Sequence, residues 1–347
     1  MLPDVYTIFV GVTTFALLVV ASWCVGEGGE ILGKKYDASI VGGLVIAWLN
    51  TAPETIFFIT ALESDNPRFA VGAVSGSSIV VCTIALGACL WIGARARKSG
   101  KVFLQQSVKQ QCYILGASVL VPVTIMVLGF NLFSAVLGVL FYIGFLIYSL
   151  QRGEPSRPEE EKDEDIEAII EEDDEEEEST TKGVIYLCVG GVMIFLFSNP
   201  FIQSVVATAS ALQVSPTLLA FFLAPIASEA PEILESISLS RKGHPQSINV
   251  AFSNLVGGTL SKTTLLCAIF CFYGVRKGFV WEAPNYTISL CLISVCAFAA
   301  AAIGFGFQHQ THRHGAALFA LFVMCGLVQY FLNGNAAEEE LQQIVAG

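Results

Sequence analysis

Two short polar runs interrupt segments that are otherwise apolar: Asn50-Thr51-Ala52-Pro53-Glu54 and Ser228-Glu229-Ala230-Pro231-Glu232. A carboxylate at the middle of a bilayer costs on the order of 2.5 to 3.5 kcal/mol by insertion scales unless it is paired or faces a cavity. Two such costs at matching places argue for a use. On a helix, Asn50 and Thr51 share a face with Glu54, and Ser228 and Glu229 share one with Glu232. Pro53 and Pro231 lack the amide that would bond the carbonyl four residues back, so the carbonyls of Leu49 and Ala227 become free oxygens. Hard cations such as Ca²⁺ take about six to eight oxygen ligands, which two facing motifs could supply together. Glu54 and Glu232 are the candidate metal ligands, and Na⁺ would need fewer charges.

A small-residue segment follows each motif, with Ser75, Gly76, Ser77 and Ser78 in the first and Gly257, Gly258, Thr259, Ser261 and Lys262 in the second. Either the glycines admit close helix contact and the hydroxyls complete a coordination shell, or the hydroxyls bond back to their own turns. An ammonium in a membrane helix needs a partner. For Lys262 the candidate is Glu229, the extra carboxylate of the second motif, unless the lysine sits at a water-filled mouth. Glu27 and Glu30, in VGEGGEIL, belong either to an interface or to a cation entrance.

The elements that must position these groups are read from hydropathy. Hydrophobic residues make up 54% of the 347, and charged residues only 14%, outside the balance of a soluble domain. Ten apolar runs recur: Val5–Gly26, Ala38–Leu62, Phe69–Ala94, Cys112–Gly129, Leu132–Leu150, Gly183–Ser204, Pro216–Leu239, Asn249–Gly274, Pro284–Phe307 and Gly315–Asn333. Each is near the roughly 17 to 25 residues that a helical crossing needs. The formal charge of −12 is local, because Glu154–Glu178 holds 16 acidic and 2 basic residues. Nothing supports nucleic-acid binding. That acidic stretch is either a solvated connector or a weak regulatory cation site. The ten cysteines sit mostly inside apolar runs and read as small hydrophobes. The histidines of QHQTHRHG read as a solvated connection. No basic n-region precedes the first run, which predicts a retained helix.

The chain divides into a first five-helix repeat (1–150), an acidic linker (151–182) and a second five-helix repeat (183–347). ASIVGGLVIAWLNTAPETI (38–56) aligns with PTLLAFFLAPIASEAPEIL (216–234) at an offset of 178, and AVSGSSIVVCTIALG (73–87) with NLVGGTLSKTTLLCA (254–268) at 181. Five crossings is an odd number, so the repeats are inverted. Lys34, Lys35, Arg95, Arg97, Lys98, Lys101, Arg152, Arg157, Arg241, Lys242 and Arg313 fall on the linker side, against Arg68, Arg276 and Lys277 opposite. The positive-inside rule then predicts a cytoplasmic linker, in a plasma or inner membrane rather than an organelle. The expected fold class is an all-α membrane protein of about ten transmembrane helices in two inverted five-helix repeats.

GEGGEILGKKYDASIVGGLVIAWLNTAPE resembles the first alpha repeat of the calcium/cation antiporter superfamily, and PTLLAFFLAPIASEAPEILESI with NLVGGTLSKTTLL resembles the second. The resemblance implies a midplane ion site and alternating access. It makes Glu54 and Glu232 the central acidic ligands, and Asn50, Thr51 and Ser228 the flanking polar positions. Ser78 and Thr259 stand where sodium/calcium exchangers usually carry Asn or Asp, and Val74 and Leu255 where they often carry Ser. Those losses bear on Na⁺ sites, whereas Glu229 adds a titratable group suited to proton coupling. The expectation is a cation antiporter, with no cofactor, exchanging Ca²⁺ or a related divalent ion for Na⁺ or H⁺. Its partners are the bilayer and inorganic cations, and its oligomeric state is unassigned. The alternatives are a cation channel on the same scaffold and an intramembrane enzyme, although no Ser–His, Cys–His or paired-Asp constellation lies in the apolar runs.

Overall fold

A computed structural model of the chain describes residues 5–63, 65, 67–151, 180–211 and 224–346. Nearly all of the acidic linker, and the stretch 212–223 ahead of the second motif, lie outside the described residues. What is described is almost wholly helical, as a lipid-embedded chain requires, because each crossing must satisfy its own backbone N–H and C=O groups.

Before the linker run α1 (Val5–Lys35), α2 (Ala38–Ile40), α3 (Ala47–Glu63), α4 (Pro67–Val80), α5 (Leu86–Ala96), α6 (Gln106–Ser118), α7 (Leu120–Leu128) and α8 (Leu132–Leu150). After it come α9 (Thr180–Ala211), α10 (Ala224–Ser228), α11 (Ala230–Arg241), α12 (Pro245–Ser261), α13 (Cys267–Lys277), α14 (Ala283–Gly306) and α15 (His312–Ala346). Three π-helical stretches, Val41–Ile46, Val81–Ala85 and Lys262–Leu266, join α2 to α3, α4 to α5 and α12 to α13. A two-residue antiparallel pair, Lys101 opposite Thr311 and Val102 opposite Gln310, ties the loop after α5 to the loop after α14.

Among the described residues, seven helices are long and apolar enough to cross a membrane, or eight if Ala38–Ala52 and Glu54–Glu63, bent by 46°, form one span. The chain is an integral multi-pass membrane protein. About ten crossings were expected. The difference falls where the second motif breaks its helix at Glu229, downstream of the undescribed 212–223, and on α15, whose side chains are described only through Gln329.

Burial separates an inner from an outer set of helices. The spans Ala70–Ala96 and Pro245–Lys277 are 78% and 83% buried, whereas Val5–Gly33, Leu132–Leu150 and Thr180–Phe201 are each 33% buried. The outer helices present large apolar side chains such as Phe9, Val12, Trp23, Phe133, Leu140, Ile185 and Phe195, the surface that lipid covers. The two inner spans carry the small-residue segments that follow the motifs. Eight of the ten cysteines are buried and all are free, while Cys188 and Cys291 are exposed.

The first helix runs to Lys35, well past the expected end at Gly26. Glu27 and Glu30 therefore lie inside a continuous helix, where Lys242, capping α11, ion-pairs with Glu27 at 2.8 Å and with Glu30.

Candidate cation site

The first motif lies in α3, where Pro53 stands at the 46° bend, as expected of a proline that cannot donate to the carbonyl one turn back. The second motif breaks its helix instead. Glu229 sits between α10 and α11 at φ −90°, ψ 3°, and Pro231 occupies the first turn of α11, where a missing amide costs little. Glu232 shares that first turn, and a helix N-terminus favours negative charge.

These elements bring Glu54 and Glu229 to one ammonium. Lys262 Nζ lies 3.1 Å from Glu54 Oε2 and 2.9 Å from Glu229 Oε2, and it donates to Ser77 Oγ at 2.6 Å. Ser77 Oγ in turn donates to Glu229 Oε1 at 2.7 Å. Lys262 is fully buried, and these three oxygens use all three of its donors. It opens the π-helical stretch Lys262–Leu266, a local irregularity frequent at functional sites.

Glu232 is buried and stands apart from that cluster, with Oε2 lacking a hydrogen-bond partner among the described residues. It remains within coulombic reach of Lys262, Glu229, Glu54 and Glu235. A Cβ on Gly258 would lie 3.3 Å from Glu232 Oε1, so the bare glycine leaves room for the carboxylate against α12. A Cβ on Gly257 would lie 2.1 Å from the Gly43 carbonyl oxygen. Only glycine permits that backbone contact between α12 and the stretch leading into α3.

Sequence reasoning missed a fourth carboxylate. Glu235, fully buried one turn beyond Glu232, accepts from Asn50 Nδ2 at 3.1 Å and from Asn254 Nδ2 at 3.2 Å. The signal was present in the run Pro231-Glu232-Ile233-Leu234-Glu235, since a second acid one turn on shares the helix face. Ser77 and Asn254 were also missed as contacts. Both stand in the segments already singled out, but nothing in their spacing told them from their neighbours.

The other predicted oxygens divide. Thr51 Oγ1 donates to Ala47 O at 2.7 Å, and Thr259 Oγ1 to Leu255 O at 2.8 Å, each within its own turn. Ser228 Oγ lies 3.0 Å from Pro225 O and 3.3 Å from Glu229 Oε1. Ser78 Oγ, Ser75 Oγ, Asn50 Oδ1 and Asn254 Oδ1 are buried with no hydrogen-bond partner among the described residues. A buried polar atom left unsatisfied costs about 1 to 3 kcal/mol. Oxygen is the donor that hard cations take. Among the described residues no group of three or more His, Cys, Asp or Glu side chains could by itself hold a metal ion.

The family model for sodium/calcium exchanger protein matches residues 6–151 and 182–331. The chain is 20% identical over 114 residues to the sodium/calcium exchanger NCL2 of Oryza sativa subsp. japonica, a match covering 33% of this chain and 20% of that protein. It thus spans about a fifth of that relative's length. Among solved structures it resembles the sodium-calcium exchanger NCX_Mj soaked with 10 mM Na⁺ and zero Ca²⁺, with a TM-score of 0.70 and 16% identity over 91% of this chain and 97% of that one. The same exchanger soaked with 2.5 mM Na⁺ and 0.1 mM Ca²⁺ gives a TM-score of 0.72 and 15% identity over 93% and 98%. At that identity the likeness is one of fold.

Proposed function

Because the chain belongs to the sodium/calcium exchanger protein family, and is therefore a membrane transporter rather than an enzyme, we propose that it exchanges Ca²⁺ or a related divalent cation for Na⁺ or H⁺ by alternating access. The reading includes ten crossings in two inverted repeats (1–150 and 183–347), joined by a cytoplasmic acidic linker in a plasma or inner membrane. Two π-helical stretches of equal length support the repeat: Val81–Ala85 and Lys262–Leu266 fall at the offset of 181 that aligns the two segments in sequence.

The observation that carries the function is the meeting of Glu54 and Glu229, one from each half, on Lys262, together with a buried Glu232 whose Oε2 has no hydrogen-bond partner among the described residues. Glu54 and Glu232 are the acidic ligands of the dehydrated cation. Asn50, Thr51, Ser228, Glu229, Ser78 and Thr259 are the flanking oxygens; Thr51, Ser228 and Thr259 donate their hydroxyl hydrogens to carbonyls of their own turns, which leaves their oxygen lone pairs for a cation. Counter-ions bind overlapping oxygens once the divalent ion has left, so competition for one set of charges enforces exchange. No resident cofactor takes part.

Uptake of ⁴⁵Ca²⁺ into proteoliposomes, driven in turn by a Na⁺ gradient and by a pH gradient, identifies the counter-ion. Correctly inserted Glu54→Ala and Glu232→Ala variants are expected to fall to background. Wild-type-like uptake by either one would sink this reading, and divalent conductance without counter-transport would replace it with a channel.

A further inference from the structure

Among the described residues, the centre holds three buried carboxylates, Glu229, Glu232 and Glu235, the partly buried Glu54, and one ammonium, Lys262. That ammonium is held as a bound monovalent cation would be, by three oxygens from different segments at 2.6 to 3.1 Å. Glu54 comes from α3, Ser77 from α4, and Glu229 from the break before α11. Glu232 Oε2, Asn50 Oδ1 and Asn254 Oδ1, which have no hydrogen-bond partner among the described residues, belong to residues with no hydrogen bond or ion pair to Lys262. The cluster is therefore divided into a filled part and an open part.

We propose that Lys262 is a tethered counter-cation: its ammonium fills one monovalent-cation position, formed by Glu54, Ser77 and Glu229, and takes the place of one exchanged ion. This deepens the antiport reading and rests on it. A divalent ion that recruits Glu54 must displace the ammonium, which stays on Glu229 and Ser77. When the divalent ion leaves, Lys262 returns to Glu54 and neutralises a charge that would otherwise need an ion from solution before the carrier could reorient. The lysine thus lowers by one the number of monovalent ions exchanged per divalent ion, and it competes with the divalent ion for Glu54.

The test measures coupling stoichiometry from the reversal potential of ⁴⁵Ca²⁺ flux in proteoliposomes, with whichever counter-ion drives the wild type. Lys262→Gln is expected to raise the number of monovalent ions coupled per Ca²⁺ by one and to tighten apparent Ca²⁺ affinity about tenfold, equivalent to about 1.4 kcal/mol. Ser77→Ala removes one oxygen of the ammonium's position without touching a charge. It is expected to loosen the ammonium and tighten apparent Ca²⁺ affinity by roughly twofold, and it decides the matter if Lys262→Gln does not fold. An unchanged ratio in folded Lys262→Gln, or an unchanged or weakened Ca²⁺ affinity in Ser77→Ala, overturns the tethered-cation role. If the wild type itself exchanges no divalent ion for Na⁺ or H⁺, the antiport reading fails first, and the two failures are distinguished.

Discussion

Around Glu54 the first half offers one carboxylate among neutral neighbours, whereas around Glu232 the second half assembles three carboxylates and a lysine. The positions correspond. In the register that aligns the repeats, Glu229 matches Thr51, Glu235 matches Phe57 and Lys262 matches Val81. The backbone keeps its symmetry, since Val81 and Lys262 each open a five-residue π-helical stretch. Charge does not. A duplicated scaffold thus places side chains at equivalent depths while their chemistry diverges, and Lys262 reaches across to Glu54 and Ser77 so that the charged half depends on the neutral one.

Breaking that dependence should give the largest effect. Lys262→Met strands Glu54 and Glu229 in a buried site, and loss of one partner from a buried pair costs about 3 to 5 kcal/mol. Thermal unfolding in detergent should show a large fall in Tm, much of it recovered by adding Glu229→Gln. Val81→Leu, at the matching position of the first half, touches no charge and should cost far less.

The next comparison sets Glu232 against Thr51. Glu232→Gln removes a charged ligand, so equilibrium ⁴⁵Ca²⁺ binding should weaken by roughly 10- to 100-fold, or about 1.5 to 3 kcal/mol. Thr51→Val removes a hydroxyl bonded within its own turn and should weaken binding by less than about threefold. Equal losses would show that the two halves contribute alike.

Packing gives a third contrast. Gly257→Ala forces a methyl group onto the Gly43 carbonyl, and overpacking of this kind costs about 1 to 3 kcal/mol. Gly72→Ala meets nothing within 4 Å and should leave the unfolding free energy within about 1 kcal/mol of wild type.

The smallest effect is expected at the bridge between Lys242 and the pair Glu27 and Glu30, which is partly exposed. Lys242→Met should cost about 0 to 1 kcal/mol and less at high salt. Burial alone would lower the Lys242 pKa, but hydrogen bonds and charge from Glu27 and Glu30 outweigh it and hold the pKa above its ordinary value. A lysine pKa raised on folding stabilises fully below the unfolded value and loses that contribution as pH rises through the folded one. On the lysine side, then, the effect of Lys242→Met on Tm should be constant at neutral pH and shrink only in strongly alkaline buffer.

How legible the site was in the sequence depended on contrast. Glu54 and Glu232 stood out because a carboxylate in an apolar run is expensive and therefore conspicuous. Glu235 and Ser77 did not, because the first repeat carries Phe57, not an acid, at the position matching Glu235, and Ser77 is one serine among several. The kink at Pro53 was foreseeable from the missing amide, whereas the ion pair of Glu27 with Lys242 was not, since the two stand more than two hundred residues apart.

By itself the sequence determined that the chain lives in lipid, that its charge is concentrated in one linker, and that two related segments carry acids into apolar surroundings. Hydropathy and local spacing are properties of neighbours along the chain, and they suffice for those conclusions. Only the tertiary structure decided that Lys262 engages Glu54 as well as Glu229, that Glu235 lies between two asparagines, and that Glu232 Oε2 has no hydrogen-bond partner among the described residues. These contacts join residues distant in sequence, and which carboxylates share the one lysine is settled by how the helices pack, which no linear pattern encodes.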